Sequence, residues 1–489
     1  MTRRKSRVGR LHGCARARGP GPARRAGASL RHAGDALGIR RVVKHPSSLE
    51  RVLARAFRPF ARVEPHEAVR ATVMMLVAFL LLTAYYLLKT VREPLILLQG
   101  GAEVKLYARA GQAVLMVAVV HAYGELARRV GRTKLLAYVF AFFISNLAVF
   151  AILSTTTVRI GLAFFLWVGV FSYTVVAQFW ALAADVYSEE QGKRLFPVLG
   201  IGSSAGAVAG ARLAKSLVPF GPQALMGSAV VILIVCAVII VALGMHAASP
   251  STPRHEQQPD RPLSNRNAFQ LVVHDRYLVL IALMILLLNW VNSAGEYVLD
   301  RALLASAAGA RAHGVAPQEF VGAFKADYFA WYNLLGVLLQ LFAVSRILGR
   351  LGVRSALLFL PGFALVGYAA AAAAPVLSVI RLVKIGENSL QYSVAETSRH
   401  ALYLVASRVE KYVGKTSVDT IPVRIGAVMS ATVAWIGTRV GMPTAGFAAI
   451  NVGLAAAWTA VVFAIGREHA KRSRDADPAV AVGVEPVAP

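Results

Sequence analysis

From residue 71 to residue 466 the chain is a succession of apolar runs about 20 residues long, with no soluble domain set between them. A helix of that length rises through the ~30 Å hydrocarbon core of a bilayer. Inside lipid every backbone N–H and C=O must be bonded internally, so repeated runs of this kind mean a bundle of membrane-spanning helices. Twelve runs can be read, the first at 71–92 and the last at 445–466. The composition agrees: 56% of residues are hydrophobic and only 16% charged, against roughly 25% charged in soluble domains. An ordinary soluble enzyme is excluded.

The charge is less simple than its total. Fifty-three Lys and Arg against 25 Asp and Glu leave a formal +28, which in a soluble chain would suggest nucleic acid. Residues 1–70 alone hold 18 Lys and Arg against Asp35, Glu50, Glu64 and Glu67, so half the excess lies in a basic tail. In the apolar region about 20 Lys and Arg fall on one set of alternate loops and about six on the other. By the positive-inside rule both termini are expected in the cytoplasm, in a multi-pass protein of the bacterial inner (cell) membrane. The partner is the lipid bilayer, and no nucleic acid is expected.

A polar, Pro-rich stretch at 247–276 divides the apolar region into six runs and six. The expected organisation is a disordered basic tail (1–70), an N-terminal half (71–246), a cytoplasmic linker (247–276), a C-terminal half (277–466) and a cytoplasmic tail (467–489). GELARRVGRTKLLAY (124–138) and SRILGRLGVRSALLF (345–359) echo one another at equivalent places in the two halves. Two six-helix repeats with a basic, Gly-containing turn after the second helix of each predict an all-α, major-facilitator-like membrane fold of twelve transmembrane helices. Glu125, Arg128 and Arg132 of the first turn are candidates for cytoplasmic gating.

Charges inside spanning helices are costly and tend to face a cavity or one another. The densest set is in the tenth run, where Arg381, Lys384, Asn388, Tyr392, Glu396 and Arg399 recur at three- and four-residue steps, predicting one helix face. Such a stripe lines a cavity, or else Arg381, Lys384 and Glu387 form a buried ion-pair network joining the halves. At the end of the first run Lys89, Arg92 and Glu93 precede Pro94, which is expected to end or kink the helix. Asp185 closes the fourth run and is expected to be half-buried. Glu296, Asp300, Arg301, Arg212, Asp419 and Arg424 complete the set, and Pro422 predicts a kink. The Gly202, Gly206 and Gly210 series is read as a small-residue packing face rather than a nucleotide loop, since no strand precedes it. The sequence holds no Walker motif, Cys/His cluster or nucleophile elbow. Neither enzyme chemistry nor a cofactor or metal is therefore expected.

Three segments carry a likeness to a known family. YYLLKTVREPLIL followed by GGAEV, FWALAADVYSEEQGKRLFPVLGIG, and QYSVAETSRHALYLVASRVEKYVGKTSVDTIPVRIG resemble the motifs of the ATP/ADP translocases of plastids and intracellular bacteria, a branch related to the major facilitator superfamily. The resemblance implies membrane transport of a nucleotide or similar phosphorylated anion, by alternating-access exchange or proton symport. It places the family's phosphate-binding basic residue on Arg92, the preceding one on Lys89, the acidic residue of the fourth helix on Asp185 and a Lys-Arg pair on Lys193 and Arg194. In the third motif Lys415, Asp419 and Arg424 match, and Arg399 stands for a Lys. His400 replaces a family Glu and would suit a proton. The expected substrate-binding set is thus Lys89, Arg92, Asp185, Arg381, Lys384, Glu387, Tyr392, Glu396 and Arg399. The cytoplasmic set is Glu125, Arg128, Arg132, Lys193, Arg194, Lys415, Asp419 and Arg424. Two other readings stay open from the residues alone: a proton-coupled major-facilitator carrier of another small solute, and a non-transporting sensor or accessory protein of the same fold.

Overall fold

A computed structural model describes residues 47–57, 63–130, 132–247, 275–403 and 415–475. A short surface helix, α1 (Ser48–Phe57), precedes α2 (Pro65–Arg129), so helical structure begins inside the stretch expected to be tail. Next come α3 (Arg132–Leu153), α4 (Gly161–Val186), α5 (Glu189–Leu217) and α6 (Pro222–Ala247). The second half holds α7 (Arg276–Ala312), α8 (Pro317–Phe342) and α9 (Val344–Ala373). It continues with α10 (Leu377–Leu390), a π turn (Gln391–Ala395), α11 (Glu396–Leu402), α12 (Lys415–Arg439) and α13 (Thr444–Asp475). The fold is all-α, and eight of these helices are long and apolar enough to cross a membrane. The described helices of crossing length outside those eight, α5 and α8, carry charged residues that meet at the interface between the halves.

Several local signals decide where helices start and break. Pro94 is the expected end or kink of the first span, yet the helix runs on past it. The break comes at Gly101, where φ is +80°, a backbone conformation open to glycine and costly for other residues. There α2 folds back into a second arm. Gly352, inside α9, has φ +74° at the place that echoes the turn between α2 and α3. Ser188 caps α5 by accepting from the Gln191 amide. Asp275 caps α7, accepting from the amides of Tyr277 (2.8 Å) and Leu278 (3.2 Å) while also receiving Arg472.

Packing builds two halves and then joins them. One apolar cluster sits among α2–α6 and another among α7, α9, α12 and α13, with a third straddling both halves. Gly202, Gly206 and Gly210 lie against the backbone of Met75, Phe79 and Thr83 on α2, which bears out the packing reading. Between the halves α5 packs along α8, and α2 packs along α7, α8 and α12. Among the described residues, the polar bonds seen to bridge the halves involve residues 86–105 and 212–215 on one side and 297–333 on the other. Following the chain up and down the bundle, all of these lie from mid-depth to the end that holds Gly101. The bundle is therefore drawn together at that end.

Candidate functional site

The centre of the interface is a chain of buried charges. On α2, Glu93 accepts from Arg92 (2.9 Å) and from Lys105 (2.5 Å). Lys105 also reaches Asp300 of α7 (2.6 Å), and Asp300 accepts from Lys325 of α8 (2.7 Å). Lys325 lies 3.7 Å from Glu296, which in turn is 3.9 Å from Lys384 of α10. Lys384 bonds Glu387 at 2.9 Å, and Tyr368 donates to the same carboxylate at 2.5 Å. Lys325 and Lys384 are 0% exposed. Charges so deep are tolerated only when each has a partner, and this network supplies one for each.

Two cations stand outside that pairing. Half-buried Lys89 has no carboxylate within salt-bridge distance among the described residues; it donates to the Tyr332 hydroxyl at 2.7 Å instead. Its ammonium also sits 4.5 Å from the Phe329 ring centre, 5.0 Å from Tyr86 and 5.4 Å from Tyr332. Arg109, half-buried on the second arm of α2, shares a small pocket with Lys105, Glu296 and Asp300 but makes no ion pair within 4 Å among the described residues. Six cations (Lys89, Arg92, Lys105, Arg109, Lys325, Lys384) thus face four carboxylates (Glu93, Glu296, Asp300, Glu387). The excess of two positive charges is bordered by tyrosines: Tyr86 bonds Tyr332 (3.2 Å) and Asn333 (2.9 Å), and exposed Tyr392 stacks on Tyr332. Such a surface suits an anion that also carries an aromatic face.

The expected residues do not all meet. Lys89 belongs to this cluster, and Tyr392 joins it through its ring. Arg92 is spoken for, paired with Glu93 and stacked on Phe165. Lys384 and Glu387 belong to the ion-pair network, the more structural of the two readings of the tenth run. The single face drawn for that run is broken by the π turn, whose extra residue rotates the helix beyond it. Arg381 turns outward to Asp327 of α8. Glu396 pairs with Arg399 (2.5 Å) and His400 (3.1 Å), and the Glu396–Arg399 pair lines a separate cavity of about 230 Å³ within the C-terminal half. Asp185, expected half-buried, is exposed near the end of α4, at the opposite end from Gly101.

Of the cytoplasmic set, Glu125 pairs with Arg128 and with Arg129 (2.7 Å) on the exposed end of α2. Arg194 reaches the buried Glu67 at 3.1 Å, and Arg424 is half-buried on α12. The side chains of Arg132, Lys193, Lys415 and Asp419 lie outside the described residues. Sequence reasoning misses Lys325, Asp327, Arg109 and Lys105. The first two stand in FKADYFAW, inside a run read as spanning, where the rule applied to the tenth run would have found them.

A two-sided helical bundle joined at one end over a buried cluster of charges and tyrosines has the fold of the major facilitator transporters. Solved structures with this fold include the nucleoside transporter NupG (13% identity, TM-score 0.60, covering 81% of this chain and 99% of that one). A bacterial homologue of the iron transporter ferroportin (14%, 0.57, 81% and 98%) and the peptide transporter PepTSo (12%, 0.56, 82% and 98%) share it too. More particularly, residues 49–157 match the TLC ATP/ADP transporter family. That match bears out the resemblance drawn from the sequence over the stretch containing the first motif. No curated protein matches the chain. The solved structures thus give the fold, and the family likeness covers residues 49–157.

Proposed function

We propose that the protein moves a nucleotide, ATP- or ADP-like, or a closely similar phosphorylated anion, by alternating access between its halves. The observation that carries this is the excess of two positive charges at Lys89 and Arg109, set among tyrosines and surrounded by cations that already have partners. Phosphate oxygens would take Lys89 and Arg109, and a base could stack on the Tyr332 and Tyr392 rings. The matched family's description as ATP/ADP transporters supports the same class of substrate.

Counting the two arms of α2 separately, and α5, α8 and the broken α10–α11 as crossings, gives the twelve spans expected. The divisions at 71–246 and 277–466 then fall on the two halves. With the basic loops and both termini placed on the cytoplasmic side, the drawn-together end would face outward, as in an inward-facing state. A site carrying two uncompensated charges resists being closed off in a low-dielectric interior unless an anion balances them. The halves should therefore rearrange readily only when loaded, which favours exchange. His400 bonds Glu396 rather than facing Lys89, so proton symport finds less support. No chemistry on the substrate is proposed.

The test uses the full chain in proteoliposomes loaded with ADP or left empty, with uptake of labelled ATP competed by unlabelled ATP, ADP, phosphate and sugars. Uptake that needs internal nucleotide and yields to ATP and ADP is the expected result. Uptake insensitive to nucleotides but blocked by a sugar would transfer the protein to another class of carrier.

A further inference from the structure

Away from the central charge cluster, a groove of about 940 Å³ opens between α8 and α10 on the flank of the C-terminal half. Its walls are almost wholly apolar: Phe320, Phe324, Trp331, Leu335, Leu338 and Leu382 among others. Leu338 and Leu382 are exposed on this flank, so the groove is open along its length to whatever surrounds the bundle. At its rim Asp327 receives three cations. Arg212 (3.4 Å) and Lys215 (3.1 Å) come from α5 of the N-terminal half, and Arg381 comes from α10 of the other.

One carboxylate cannot balance three cations. The rim keeps an excess of two positive charges, and Arg212 and Lys215 are each nearly half exposed. Arg212 also lies 5.5 Å from the Trp331 ring and Arg381 5.3 Å from Phe324, so the charged rim and the apolar wall are one continuous surface. Lys215 stands two residues from the end of α5 and Arg381 four from the start of α10, which puts the rim near headgroup depth and the groove toward the acyl chains. Cations at that depth gain from a phosphate that can approach without a full hydration shell.

We propose that this groove holds one anionic phospholipid, its phosphate on Arg212, Lys215 and Arg381 and an acyl chain along Trp331, Leu335 and Leu338. A sterol or a zwitterionic lipid would fill the apolar wall but leave the rim uncompensated, whereas an acidic headgroup satisfies both. Because Asp327 and the headgroup together tie α5 to α8 and α10, the lipid binds across the seam between the halves. The site lies apart from Lys89 and its tyrosines, and its test does not depend on the cargo.

The purified full-length protein is titrated with dioleoyl phosphatidylglycerol, dioleoyl phosphatidylcholine or inorganic phosphate, and bound lipid is counted by native mass spectrometry. One phosphatidylglycerol should be held at least about tenfold more tightly than phosphatidylcholine. The double variant Arg212→Gln with Lys215→Gln should lose that preference. Leu338→Trp, which fills the groove and leaves every charge in place, should lower affinity for phosphatidylglycerol by a similar factor, and it serves alone if the double variant does not fold. Equal affinity for the two lipids, unchanged affinity in Leu338→Trp, or displacement of the lipid by millimolar phosphate would each overturn the assignment.

Discussion

Lys105 of α2 lies 2.6 Å from Asp300 of α7, and this contact, buried on both sides, is the shortest ionic link from Lys105 to the other half of the molecule. Asp300 also holds Lys325 at 2.7 Å, so removing its charge leaves two buried lysines to share Glu93 and Glu296. Asp300→Asn should lower the thermal midpoint in detergent and destabilise by ~3–5 kcal/mol, the usual cost of breaking a buried pair from one side. Adding Lys105→Met to Asp300→Asn should lose less than the sum of the single changes, with a coupling of ~1–3 kcal/mol. Strict additivity in that cycle would show that the contact does not hold the halves together.

Lys89 and Lys325 are both membrane-depth lysines, yet their surroundings predict opposite outcomes. Lys325 sits among Asp300, Glu93 and Glu296 and is fully buried, so Lys325→Gln should reduce the folded yield and Tm. Lys89 has tyrosines as neighbours and, among the described residues, no carboxylate within salt-bridge distance. Lys89→Gln should leave Tm within a degree or two and cut nucleotide uptake at least about tenfold, since a desolvated charge–phosphate contact is worth ~1.5–3 kcal/mol. Arg92→Ala belongs with Lys325, because it would leave Glu93 with one cation fewer. Measuring Tm beside uptake for all three separates substrate contact from scaffolding.

Tyr332 links Lys89 to Tyr86 through its hydroxyl, while its ring stacks on Tyr392. Tyr332→Phe removes the bonds and keeps the ring. The expected effect is a raised KM for nucleotide with little change in the maximal rate, as when a contact shared by bound and transition states is lost. Tyr392→Ala, which takes away an exposed stacking face, should weaken binding of adenine nucleotides more than that of inorganic phosphate. Equal weakening of both would remove the base from the Tyr392 ring.

The architecture is legible in the sequence because bilayer thickness forces it: apolar runs, a polar divider at 247–276 and basic alternate loops are consequences of one solvent. The site is less legible. Lys105 and Lys325 come from different helices 220 residues apart, and what they do depends on Glu93 and Asp300 lying between them, a fact of packing that no local spacing reports. The same limit misplaces Glu396 and Arg399. A period of three and four residues assumes an unbroken α-helix, and the π turn at Gln391–Ala395 ends that assumption midway along the stripe. Gly101 shows the reverse case, since Pro94 is the obvious breaker by residue type and the residue with positive φ lies seven positions further on.

The glycine ladder on α5 gives the most local test of the fold. A Cβ at Gly206 would stand 2.2 Å from the Phe79 carbonyl oxygen, and both atoms belong to helix backbones, so neither can swing aside. Gly206→Ala must push α5 away from α2, with loss of the Thr83 hydroxyl bond to the Gly206 carbonyl. A cost of ~1–3 kcal/mol is expected from such overpacking, seen as a lower Tm and a smaller monodisperse fraction after extraction. At Gly200, two residues from the ladder's start, a Cβ would meet nothing within 4 Å. Gly200→Ala should therefore be neutral, or stabilising by up to ~1 kcal/mol through helix propensity. If both alanines behaved alike, the contact between α5 and α2 would not be set by these glycines, and the placement of Lys89 opposite Tyr332 would need another support.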